Sequence, residues 1–377
     1  MFDLAALEEA EGLVRRDLPP TPTYAWPLLA ERAGCDVFVK HENHTPVGAF
    51  KVRGGLVYVD ALRRERPGAR GIVSATRGNH GQSLAFAGRR RGLAVAIVVP
   101  RGNSAEKNAA MRALGAEVIE AGRDFDEARP AAARLADERG FVLVPSFHPT
   151  LVRGVATYAL ELFRQAPDLD TVYVPIGLGS GICGVVRTRD LLGLRTRVVG
   201  VVTAAADAYA RSFEAGRVVT TDTAHTFADG MACRVPDPLA LEAMRQGVER
   251  VVRVHDAAIA EAIRAYHQDT HNLAEGAGAA SLAALLQERE PMRGKRVAIV
   301  LTGGNIDRDV YARVLRGEAP AAAELGPGRP DRRAEARGVH ARQRNGVSPL
   351  RGPELGQPNL IGSRRAGETP AARGPLL

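Results

Sequence analysis

Four segments of this sequence join a reactive or hydrogen-bonding side chain to glycines that can open backbone amides to a ligand. In the first, Lys51 follows the loop Thr45-Pro46-Val47-Gly48-Ala49-Phe50 and stands at the start of an expected helix. Between Phe50 and Val52, and beside the positive end of a helix dipole, its amine is discouraged from holding a proton. A neutral amine is the form that attacks a carbonyl carbon. A lysine snorkelling past a helix start would look the same in isolation.

The second segment, Ser74-Ala75-Thr76-Arg77-Gly78-Asn79-His80-Gly81-Gln82, joins a strand to a helix. Small residues there expose amides suited to a carboxylate. Asn79 can offer its amide to a phenolic oxygen, and His80 reads as a helix-start packing residue rather than a catalyst. Arg77 is suited either to a carboxylate or to solvent.

The third, Gly177-Leu178-Gly179-Ser180-Gly181, lies between a strand and a helix and has the composition of a phosphate cradle. Gly179 to Gly184 also matches the dinucleotide pattern G-x-G-x-x-G. That pattern requires an acid at the end of the next strand, where the chain has Thr203-Ala204-Ala205-Ala206. The fourth segment, Thr302-Gly303-Gly304-Asn305, ends the last expected strand. There a neutral hydroxyl could meet a heterocyclic nitrogen, or could merely cap the strand end.

The elements expected around these segments alternate. Strands at 71–75, 95–100 and 117–120 are each followed by a helix, and the alternation resumes at 171–176, 198–202, 251–254 and 296–301. Ligands of such parallel sheets bind at the carboxyl ends of the strands, where the four segments fall. Ser146-Phe147-His148-Pro149-Thr150-Leu151 interrupts the pattern and suggests a boundary between two α/β units.

Composition excludes several classes. Three cysteines, none paired as C-x-x-C, indicate neither a disulfide framework nor a zinc ribbon. The N-terminus has acids where a secretory leader would have bases, and no apolar run approaches a membrane span, so a cytoplasmic protein without a membrane partner is expected. Of the formal charge of +8, residues 319–377 supply ten arginines against five acids, leaving +3 for the rest. Those 59 residues hold eight Pro, nine Gly and no Phe, Tyr or Trp, so a disordered tail is expected. With no aromatic stacking residues in it, no nucleic-acid partner is expected, and no regulatory domain is expected after Leu315.

Taken in order, Ala49-Phe50-Lys51-Val52-Arg53-Gly54, Gly78-Asn79-His80-Gly81-Gln82, Gly177–Gly181 and Thr302-Gly303-Gly304-Asn305 resemble the threonine and serine dehydratases among the pyridoxal-phosphate (PLP) enzymes. The resemblance spans about Thr21 to Leu315. It implies the α/β fold shared with the tryptophan synthase β subunit, with two parallel-sheet, three-layer domains. The larger, cofactor-binding domain would be 1–52 and 148–318, and the smaller, substrate-binding one 53–147.

The resemblance implies pyridoxal 5'-phosphate as cofactor, held by Lys51 as a Schiff base and by Phe50, Asn79, Gly177, Leu178, Gly179, Ser180, Gly181 and Thr302. Ser74, Thr76, Arg77, Gly78, Asn79 and His80 would line the substrate side. The implied activity is dehydration and deamination of threonine or serine to a 2-oxo acid, by a homodimer. A hydroxyaspartate ammonia-lyase, a serine racemase or a β-replacing synthase shares the fold; a nicotinamide dehydrogenase or a non-catalytic amino-acid-binding protein is more remote. Ala49 replaces the family's usual serine, and Arg77 stands where related racemases have an acid-acting serine, which weakens racemisation and admits a second substrate carboxylate. The metal-binding glutamate of some relatives has no counterpart in Gly200-Val201-Val202-Thr203, so no metal is expected in that form.

Overall fold

The computed structural model describes residues 1–320, and beyond its first two residues the expected disordered tail lies outside them. The chain opens with helix α1 (Leu4–Arg15), strand β1 (Thr23–Ala25), α2 (Pro27–Ala33), β2 (Asp36–His41) and α3 (Lys51–Glu65). Next come β3 (Gly71–Ala75), α4 (Asn79–Arg90), β4 (Ala94–Val99), α5 (Ala105–Ala113), β5 (Glu117–Glu120), α6 (Phe125–Arg139) and β6 (Val142–Leu143). Then follow α7 (Pro149–Gln165), β7 (Thr171–Pro175), α8 (Ser180–Leu191), β8 (Arg197–Thr203), α9 (Ala208–Ala215) and α10 (Pro238–Gly247). The last are β9 (Arg250–Val254), α11 (Asp256–Thr270), α12 (Gly276–Gln287), α13 (Arg289–Met292), β10 (Arg296–Leu301) and α14 (Arg308–Leu315).

These strands form two sheets, a six-stranded one in the order β1-β2-β10-β7-β8-β9 and a four-stranded one in the order β5-β4-β3-β6. Every pairing is parallel except that of the short edge strand β1 with β2. Alternate residues feed two cores on opposite faces of each sheet. Val297, Ile299 and Leu301 enter one core and Ala298 and Val300 the other; Ile72, Val95, Ile97 and Val99 enter a third, with Val73, Ala96 and Val98 in the fourth. Burial on both faces is why the strands read as continuous apolar runs.

The interruption at residues 146–151 is the start of a buried helix. His148 accepts from the Thr150 N–H and Pro149 occupies the first turn of α7. A proline there gives up an amide that has no helical partner anyway. Helix α7 crosses α3 at glycine: a Cβ on Gly154 would lie 2.4 Å from the Arg53 carbonyl oxygen, and one on Gly54 would lie 2.9 Å from that of Leu151.

At this crossing lies a fully buried ionic knot. Arg53 Nε and Nη2 donate to Glu42 at 2.8 and 3.0 Å, and Nη1 and Nη2 donate to Glu161 at 2.9 and 2.8 Å. Lys40 Nζ adds a 2.8 Å bond to Glu161, and the Thr21 hydroxyl donates to Glu42 at 2.6 Å. Two cations thus balance two carboxylates. Burial alone would raise the Glu161 carboxyl, yet Arg53 and Lys40 hold it down to about 2. Because α3 has no side-chain cap at its N-terminus, these paired forks fix its first turn. Arg53→Ala leaves the carboxylates buried without adequate compensation and is expected to cost about 3–5 kcal/mol. Denaturant titration tests this, and an unchanged midpoint would show that the knot stabilises nothing.

Candidate active site

The loop before α3 is zipped against the segment after β10. The Phe50 N–H donates to the Thr302 carbonyl at 3.0 Å, the Gly304 N–H donates to Gly48 at 2.9 Å, and Ala49 bridges Gly303. Thr45 closes the loop by both donating to and accepting from the Ala49 backbone. Lys51 is therefore held between the ends of two neighbouring strands of the six-stranded sheet.

Its Nζ donates to Ser180 Oγ at 2.9 Å and lies 5.0 Å from the centre of the Phe50 ring. Burial lowers the amine to about 8, because low-dielectric surroundings penalise the charged form. Phe50 packs edge-on against Tyr158, whose hydroxyl donates to the Gly181 carbonyl at 3.2 Å. One aromatic pair thus ties the lysine to the glycine loop.

That loop turns into α8 through Gly179, in the left-handed region at φ 94°. A Cβ on Gly177 would lie 2.3 Å from the Gly230 carbonyl oxygen, so only glycine fits there without a shift. The first amide of α8 to bond back into its own turn is that of Cys183, to Gly179. The preceding amides, of Ser180, Gly181 and Ile182, are the ones a helix start leaves for an anion. Tyr209 holds the loop from behind, donating to the Leu178 carbonyl at 3.0 Å.

Across from Lys51, Asn79 begins α4. Its Nδ2 donates to Glu275 Oε1 at 2.7 Å, and its Oδ1 accepts from Asn305 Nδ2 at 2.8 Å. Burial raises the Glu275 carboxyl, against the opposing influence of the Lys107 cation. Lys107 in turn pairs with Asp229. His80 is driven down to about 3 by burial and by the Lys51 charge, and its ring is neutral at ordinary pH. Buried Glu275 Oε2 and His80 Nε2 have no hydrogen-bond partner among the described residues.

The remaining segment residues have varied surroundings. Thr302 is buried at the end of β10. Ser74 commits its hydroxyl to the Val144 carbonyl at 2.8 Å, and Thr76 accepts from the Gly78 N–H at 3.1 Å; both tie down the loop. Arg77 offers its carbonyl to Asn103, while its guanidinium makes no hydrogen bond or ion pair among the described residues. Sequence reasoning passed over Glu275, Lys107 and Asp229 as carriers of chemistry. Their signal was faint: a carboxylate heading the small-residue run Gly276-Ala277-Gly278-Ala279.

A lowered lysine, a cradle closed to any side chain larger than glycine, and polar atoms orphaned nearby together fit a phosphorylated aldehyde cofactor. The sequence agrees: a family model described as pyridoxal-phosphate dependent enzyme matches residues 14–303. The chain belongs to this family.

Among similar proteins, an L-threonine ammonia-lyase of Thermotoga maritima is 35% identical over 316 residues, covering 84% of this chain and 78% of the relative. An L-threo-3-hydroxyaspartate ammonia-lyase of a Pseudomonas species is 33% identical over 317 residues, covering 83% and 97%. In structure, the processed form of threonine deaminase isoform 2 from Solanum lycopersicum superposes with a TM-score of 0.77 at 27% identity, covering 85% of this chain and 95% of that one. Maize serine racemase superposes at 0.78 with 28% identity, covering 83% and 97%. The cofactor of this PLP enzyme is pyridoxal phosphate, and its fold is the expected α/β one.

The depressed amine allows a test without turnover. In cofactor-stripped protein, acylation of Lys51 by a limiting reagent, followed by peptide mass mapping, should rise with pH around a midpoint of about 8. The neutral form is the nucleophile, so the rate is low below that midpoint and flat above it. A midpoint near the ordinary lysine value of about 10.4 would show that burial does not tune this amine.

Proposed function

We propose that this PLP enzyme is a dehydrating ammonia-lyase that converts a small β-hydroxy amino acid, threonine or serine, to a 2-oxo acid and ammonia. The observation that carries this is the Lys51 amine, lowered by burial and aimed at Ser180 beside the glycine cradle. The activities of the threonine ammonia-lyase and threonine deaminase relatives, as their names give them, support it.

Lys51, Phe50, Asn79, Thr302 and the loop from Gly177 through Leu178, Gly179 and Ser180 to Gly181 would hold the cofactor. When bound, its conjugated ring supplies an electron sink that acidifies the substrate Cα–H bond. The α8 amides take the phosphate. The first amides of α4, at Asn79, His80 and Gly81, take the substrate α-carboxylate, with Thr76 and Gly78 shaping that turn.

With its amine neutral, Lys51 would take the Cα proton of the bound substrate as the base, and Ser180 would orient its lone pair. A hydroxyl at Thr302, unlike a carboxylate, has no charge with which to hold a proton on the ring nitrogen. Neutral His80 packs rather than donating a proton. Arg77 in place of a second-face serine removes the donor that racemisation would need.

The proposal extends to a cytoplasmic homodimer, as the resemblance implies; among the described residues no helix is long and apolar enough to cross a membrane. It also divides the labour between 1–52 with 148–318, holding cofactor, and 53–147, holding substrate. The two sheets partition the strands in the same way.

Purified protein given pyridoxal phosphate should show the cofactor's visible band, and borohydride should fix the label on Lys51. Lys51→Ala should lose both and release 2-oxo acid from threonine at least about 10²–10⁴-fold more slowly. Trapping at another lysine, or no keto acid from threonine, serine or 3-hydroxyaspartate, would overturn this function.

A further inference from the structure

Arg77 is the residue of the α4 loop that the proposed dehydration leaves without a task. It precedes Gly78 and Asn79, on the loop whose amides take the α-carboxylate. Its side chain is partly buried and its Nε is fully enclosed, yet no carboxylate or carbonyl among the described residues accepts from the guanidinium. Two other arginines also have an enclosed Nε without a partner among the described residues, but Arg153 lines a hollow with Glu9 and Glu65, and Arg296 Nη2 donates to the Pro167 carbonyl at 3.1 Å; three more are held by carboxylates. Arg53 meets Glu42 and Glu161, Arg32 meets Asp269 at 2.6 and 2.9 Å, and Arg250 meets Glu288.

A buried hydrogen-bond donor without a partner is costly, and more so when it belongs to a charged group. Asp229 is engaged with Lys107 and Asp307 with Ser104, while Glu275 accepts from Asn79 through Oε1 and keeps Oε2 without a partner among the described residues. Two further buried polar atoms of the same helix start, His80 Nε2 and Gln82 Nε2, also lack partners. At this end of α4 the Arg77 guanidinium and the Gln82 amide are therefore donors without an acceptor among the described residues, beyond what one α-carboxylate at the helix amides would satisfy.

We infer that Arg77 forms a second anion subsite, so that the preferred substrate is a β-hydroxy-α-amino acid with a carboxylate on Cβ, that is, a 3-hydroxyaspartate. This rests on the dehydratase function proposed above and specifies its substrate class. The planar guanidinium suits a carboxylate bidentately. The reaction is the same: the Cα proton and the β-hydroxyl leave as water, the enamine becomes an imine, and a second water releases ammonia and a 2-oxo dicarboxylic acid. An L-threo-3-hydroxyaspartate ammonia-lyase among the relatives shows that this family accommodates such chemistry.

The test compares kcat/KM for threo-3-hydroxyaspartate with that for threonine in the holoenzyme and in Arg77→Gln and Arg77→Lys. The ratio should favour the dicarboxylate in the wild type. It should fall roughly ten- to hundredfold in Arg77→Gln, the loss expected for a charge-assisted pair, with part of it kept in Arg77→Lys.

Independently of turnover, succinate should raise the melting temperature of the wild-type holoenzyme more than butyrate does, and Arg77→Gln should remove that difference. Cofactor absorbance on each preparation confirms that the variants are folded and loaded. A ratio below one in the wild type, a ratio unchanged in Arg77→Gln, or equal shifts by the two acids overturns the subsite. Failure of the wild type on threonine, serine and hydroxyaspartate alike would instead overturn the dehydratase function, while the succinate comparison would still decide Arg77.

Discussion

The site depends on a neutral balance of charge buried where α3 begins. The Lys51 amine is placed by its helix start, which has the loop bonds of Thr45 and Phe50 before it but no side-chain cap, and Gly54 and Gly55 weaken the helix that follows. Arg53 supplies the constraint by reaching Glu42 behind β2 and Glu161 on α7 at once. Such a knot is not a cheap source of stability, since desolvating four charges offsets much of their attraction. Its directional forks set rotation as well as distance, which apolar packing alone does less sharply.

From that anchor the polar surroundings of the site follow a consistent logic. Burial lowers the Lys51 amine and the His80 imidazole and raises the Glu275 carboxyl. Each shift favours the neutral form, as desolvation requires. Of these groups Lys51, lowered to about 8, is brought close to ordinary pH, while His80 stays neutral there. Fixed charge is supplied instead by helix-start amides and by the Lys107–Asp229 pair, which need not titrate.

Two departures from the family pattern bear on specificity more than on the reaction. Ala49 has no hydroxyl, and its place is secured by backbone: Thr45 clasps its N–H and carbonyl, and Gly303 pairs beside it. Arg77 puts a cation with an enclosed, unpartnered Nε on the loop that leads into α4. Both lie on loops carried by rigid strands, where such change is tolerated because the sheet beneath holds the geometry.

The sequence by itself determined the alternation of strands and helices, and it marked Lys51 at a helix start and the glycine loop of residues 177–181 as candidates for chemistry. These are encoded by local period and by glycine, and a chain neighbourhood of some ten residues suffices for them. It did not disclose α7, because Pro149 looks like a breaker until His148 is seen capping the helix that it begins. Nor did it disclose β1 or β6, which at three and two residues carry no period. Tertiary structure alone decided that Lys40, Glu42, Arg53 and Glu161 neutralise one another, that Glu275 turns to Asn79, and that Arg77 is left unpaired. Charge pairing depends on distance in space, and partners 108 residues apart, as Arg53 and Glu161 are, share no local pattern that could announce them.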